Sequence, residues 1–116
     1  MDTLAAYNRA EESYLSAKEE MNRPEEDIVP YLVCERCQLA ISLYLQGYLH
    51  HAGINFSQEA ELSELVDLVM LQDEKFKVIN RSILQHLKDT GDFWMNIDRA
   101  REYIRLVEKT RFIVGL

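Results

Sequence analysis

The chain has 116 residues with 13 basic and 20 acidic side chains, a formal net charge of -7. That length suits one domain spanning residues 1–116 and is enough to bury a core without staples. With 47% apolar and 28% charged residues but four glycines and two prolines, the composition excludes disordered, collagen-like and Gly-rich all-β chains, leaving a compact helical domain. No window approaches the ~18 consecutive apolar residues of a membrane span, so no membrane partner is expected. The opening MDTLAAYNRAEES has neither the basic nor the apolar region of a signal peptide. The expected location is the cytoplasm, where two cysteines stay reduced.

Leu4, Tyr7, Tyr14, Leu15 and Met21 follow helical spacing, with Glu11, Glu12, Lys18, Glu19 and Glu20 opposite, which predicts an amphipathic first helix ending near Asn22-Arg23-Pro24. PEEDIVP is a polar connector, and Asp27 or Pro30 can open the next helix. From Tyr31 to Ala52 the chain is apolar around most of its circumference, with a narrow polar strip through Glu35, Gln38, Ser42 and Gln46. Such a helix belongs in the middle of a bundle. Gly53 is its expected C-terminal cap, and Ser57 a candidate N-cap for a third helix carrying Leu62, Leu65, Val66 and Val69. A fourth helix is expected from about Asp73 to Leu87, with Phe76, Ile79, Ile83 and Leu87 in register. Asp89-Thr90-Gly91-Asp92 breaks it, and the last helix carries Trp94, Ile97, Ala100, Ile104 and Val107. The expected fold is all-α, a single up-and-down bundle of about five helices around the second.

Charge is unevenly spread. Residues 1–27 hold three basic side chains against eight acidic ones, and residues 28–75 two against seven, whereas residues 76–116 hold eight against five. The net charge therefore opposes whole-surface binding to nucleic acid but leaves room for a local basic face. Arg101, Arg105 and Lys109, four apart, predict one basic stripe on the last helix. An acidic first helix packed beside a basic last one would also explain the polarity.

The motifs that carry chemistry are few. Cys34 and Cys37 have CxxC spacing, but they fall inside an apolar helix with no second CxxC to complete a metal site. His50 and His51 lie about 20 Å further along that helix, too far to share a metal, and read as its polar end. No metal and no cofactor are expected. The acidic pairs Glu11-Glu12 and Glu19-Glu20, with Glu25-Glu26-Asp27, read as a solvated face, and Trp94 as a core anchor. Gly-rich phosphate loops, GxSxG and HExxH are all missing. One spacing suggests catalysis: Arg81 and His86, with four residues between them. Metal-free RNA cleavage needs a group to move the 2′-hydroxyl proton and a cation to steady the phosphate, roles a histidine and an arginine can fill. Five helical positions are about 140° of rotation, so the pair could share only a groove that wraps the helix or a dimer interface.

The stretch CERCQLAISLYLQGYLHHAGINFSQEAELSELVDLV resembles the HEPN domain family of small helical bundles, through Cys34, Gln38, Ala40, Leu45, Leu49 and Gly53, then Ile54 and Phe56, then Leu62, Leu65 and Leu68. The helices LAAYNRAEESYLSAKEE and MNIDRAREYIRLVEKT fit in order and length. Ser42 and Gln46 stand where many members carry a glutamate and a lysine, and Ala60 where a histidine often opens the third helix. The resemblance implies a homodimer and a small nucleotidyltransferase partner, in some cases as toxin and antitoxin. It also implies, in ribonuclease members, an Arg-to-His spacing like that of Arg81, Ser82 and His86. The leading expectation is a non-enzymatic binding or regulatory module. The alternatives are a metal-independent ribonuclease using Arg81 and His86, with RNA on Arg101, Arg105 and Lys109, and a purely structural bundle.

Overall fold

A computed structural model describes residues 2–79 and 96–116. They form four α-helices, α1 (Thr3–Met21), α2 (Pro30–His51), α3 (Leu62–Gln72) and α4 (Ile97–Ile113), with 3-10 turns at Glu25–Asp27 and Glu74–Phe76. The protein is an all-helical bundle, and the described residues contain no strand. The expected fourth helix begins as written: Phe76 and Ile79 are fully buried, and Lys77, Val78 and Ile79 are helical. Its continuation, including Arg81 and His86, lies outside the described residues, as does Trp94.

The second helix is the core. Pro30 occupies its first turn, where the missing N–H costs nothing, and Val33, Cys34, Cys37, Ala40, Ile41, Tyr44, Leu45 and Leu49 are wholly buried. Each of the large aliphatic side chains contributes roughly 1.5–3 kcal/mol of burial. The helix ends as the sequence predicts: Gly53 takes φ 74°, its N–H donates to the His50 carbonyl at 3.1 Å, and Ile54 N–H donates to that of Leu49 at 2.9 Å. This Schellman closure satisfies carbonyls the helix leaves open. Helices α1, α3 and α4 all pack on α2. From the pairings Tyr7–Gly47, Glu11–Tyr44 and Ser16–Arg36, α1 runs antiparallel to α2. From Glu11–Arg111 and Tyr14–Glu108, α4 runs antiparallel to α1.

Two local expectations give way. On α1 the residues facing the core are Ala6, Ala10, Tyr14, Ala17 and Glu20, while Leu4 and Leu15 point to solvent. The alanines recur at helical spacing and let α1 approach α2 closely, so small size selects the buried face here. Glu11 and Glu20 consequently leave the expected solvated face. Glu20 is 6% exposed; it accepts hydrogen bonds from Val29 N–H at 3.1 Å and Arg23 at 3.2 Å, with Arg36 at 4.0 Å, and so fastens the α1–α2 connector. Ser57 does not cap α3, whose N-cap is Glu61. Its hydroxyl instead accepts from Glu59 N–H at 3.1 Å within the preceding turn. The four predicted core residues of α3 are buried.

Candidate binding face on the C-terminal helix

Asn96 opens α4 by accepting a hydrogen bond from Asp98 N–H at 2.7 Å. Ala100, Tyr103, Leu106, Val107 and Thr110 turn inward, Thr110 satisfying its buried hydroxyl on the Leu106 carbonyl at 2.8 Å. The remaining side is the expected basic stripe: Arg101, Arg105 and Lys109 are all exposed. Arg101 pairs with Asp98 at 3.1 Å, whereas Arg105 and Lys109 make no ion pair among the described residues.

The structure adds a groove on each side of this stripe. One, of about 700 Å³, has Val78, Phe112 and Ile113 for its apolar lining and Lys75, Arg105 and Lys109 around them. Phe112 is 81% exposed and Val78 68%. The other, of about 250 Å³, sets Lys18 and Met21 of α1 against Arg101, Ile104 and Arg105. Lys18 and Lys75 thus join the face from parts of the chain that are acidic overall. Sequence spacing could not find them, because tertiary packing alone brings these segments together. Phe112 was equally hidden. Its place is firm, since α4 closes with Gly115 at φ 96° and N–H donations from Gly115 to the Phe112 carbonyl at 3.1 Å and from Leu116 to that of Arg111 at 3.0 Å.

Behind the face, α4 is tied to the core by a polar cluster. Arg111 donates from Nε and Nη2 to the two Glu11 carboxylate oxygens at 2.6 and 2.9 Å, and Tyr44 donates to Glu11 Oε1 at 2.5 Å. The Arg111 hydrogen bond holds the Glu11 carboxyl below the usual range and raises the guanidinium's own pKa. Tyr14 donates to Glu108 Oε2 at 2.6 Å. Burial first, then that bond, pushes the Tyr14 phenol up to about 12, and burial likewise raises Tyr44. Glu108 lines both grooves, yet its charge is partly directed inward. The expected charge complementarity between first and last helices is therefore present at Glu11 and Arg111.

The remaining motifs fall elsewhere. Cys34 and Cys37 are free and wholly buried; burial pushes the Cys34 thiol up to about 11 and raises Cys37 as well. Both are protonated at neutral pH and pack as small apolar groups. His50 and His51 stand exposed at the end of α2, the His50 ring edge-on to Phe56 at 5.0 Å. Among the described residues no group of three or more His, Cys, Asp or Glu side chains could hold a metal ion, and no helix is long and apolar enough to cross a membrane.

No family model, curated protein or solved structure matches this chain. What the α4 face can hold is thus defined by its own chemistry. It is a shaped apolar surface on a helix anchored from behind, bordered by Lys75, Arg105 and Lys109 and by Glu108, which accepts from Tyr14.

Proposed function

We propose that the protein is a HEPN-like, non-enzymatic binding module that docks a partner protein in the larger groove of α4. The observation that carries this reading is the combination of an almost fully exposed Phe112 with Val78 on a groove lining surrounded by Lys75, Arg105 and Lys109. An aromatic held in water by a closed helix end gains from being covered, and apolar patches rimmed by polar residues mark protein interaction sites. The basic rim favours an acidic partner. A nucleotidyltransferase is the kind of partner that the family resemblance suggests. The homodimer it also suggests would use another surface, because a two-fold axis through this groove would bring like-charged rims together.

Placing a photo-crosslinking residue at position 112 in cells of the source organism tests the docking reading, with position 59 on the exposed loop before α3 as control. The expected result is one discrete protein adduct from position 112, missing from position 59 and lost when Arg105 and Lys109 are both changed to Glu. Equal labelling from the two positions, or none from 112, would overturn it.

A second reading is RNA binding along Arg101, Arg105 and Lys109, favoured by Lys18 lying across the smaller groove from them. Its catalytic form assigns phosphate contact to Arg81 and proton transfer to His86.

A further inference from the structure

The walls of the larger groove are helical. Arg105, Lys109 and Phe112 project from α4, and Lys75 and Val78 come from the 3-10 turn and the helical residues that follow it. In such walls the backbone N–H and C=O groups are mostly consumed within their own turns, so the groove offers side chains and little main chain. An extended peptide would enter with a row of unpaired backbone groups and lose their water without replacement, at a cost comparable to a lost hydrogen bond for each. A helix brings its backbone already satisfied. The lengths agree: seven residues separate Arg105 from Phe112, a rise of about 10 Å, which matches two turns of a partner helix. The chemistry agrees too: the lining joins Val78, Phe112 and Ile113 to three cations, Lys75, Arg105 and Lys109, against one carboxylate, Glu108, which accepts from Tyr14.

We infer that the segment docked in this groove is an amphipathic α-helix, with apolar anchors at i, i+3 or i+4, and i+7 against Val78, Phe112 and Ile113, and with Asp or Glu flanking them. This rests on the protein-docking reading above and specifies its occupant. The acidic flanks meet Lys75 on one side and Arg105 and Lys109 on the other. The anchors cover Phe112. A strand-forming segment finds no sheet edge to pair with among the described residues, and a proline-rich one is told apart by the selection below.

Selection of phage-displayed random 16-residue peptides on the intact chain tests this, with Phe112→Asp, checked for a native helical spectrum, as the counter-target. The enriched pool is expected to be acidic, free of internal proline and apolar at helical spacing. Individual peptides should bind wild type at least tenfold more tightly than Phe112→Asp, and a central proline should weaken each by tenfold or more. A Phe112-dependent pool that is basic, proline-containing or alternating in pattern would overturn the helical assignment and leave the docking reading standing. A pool that does not distinguish wild type from Phe112→Asp, or no enrichment at all, would overturn both.

Discussion

A Cβ atom built on Gly47 would lie 2.5 Å from Tyr7 Cε1 and 2.6 Å from Cδ1, so this glycine near the C-terminal end of α2 is the place where the Tyr7 ring rests. Its value is space, because the residue is helical and has no positive φ. Two effects oppose each other in Gly47→Ala. Alanine favours a helix by about 1 kcal/mol, while forcing an added methyl into a packed interface costs about 1–3 kcal/mol. The second is expected to win in wild type, lowering stability in chemical denaturation by about 1 kcal/mol. In a Tyr7→Ala background the clash is gone, and the same substitution should turn stabilising; a loss of equal size in both backgrounds would remove Tyr7 as the cause. At this scale the sequence was readable where pattern and size agree, as at Phe76 and Ile79, both fully buried. It misled where they conflict: Leu15 is 54% exposed while Ala10 is fully buried.

Between elements, the contact that most resembles a clamp is Glu11 of α1 against Arg111 of α4 and Tyr44 of α2. Since the folded state lowers the Glu11 pKa, the stabilisation is present above the unfolded value, near 4.3, and is lost as pH falls through the lower folded one. Thermal unfolding of wild type and Glu11→Gln should therefore show a gap in midpoint at pH 6 that closes as pH is taken below about 4. A gap that stays constant would mean the carboxylate charge contributes nothing. The boundaries of α2 were legible because proline at its start and glycine just past its end act locally. The inward turn of Glu11 was not, since a glutamate beside a solvated face looks the same in sequence whether or not an arginine one hundred residues away reaches it.

Over the whole molecule, a net charge of -7 coexists with a basic face assembled from Lys18, Lys75, Arg101, Arg105 and Lys109. Net charge governs long-range solubility, whereas binding depends on what is gathered within about a Debye length, roughly 8–10 Å. If RNA is the ligand, affinity for a single-stranded oligonucleotide should fall steeply between about 50 and 200 mM salt. Changing Arg101, Arg105 and Lys109 together to Glu should then weaken binding and flatten the salt dependence. The same oligonucleotide in chelator tests the catalytic form: cleavage by wild type and none by His86→Ala supports it, and equal cleavage or none by either removes it. Unchanged affinity in the triple variant would leave the face to a protein partner. The stripe itself was legible from a four-residue spacing. The grooves beside it were not, because a groove is the space between segments that sequence order keeps apart.

The alanine seam of α1 has a mechanical side. Ala10 adjoins Glu11, and Tyr7 and Ala6 stand one turn before them, so the separation of the first two helices is set by how little material lies between them. That separation also fixes how far the Glu11 carboxylate stands from Tyr44 and Arg111. Added volume in the seam would act as a wedge. It would move the helix and open the clamp on α4 while leaving both side chains of the ion pair, Glu11 and Arg111, unchanged.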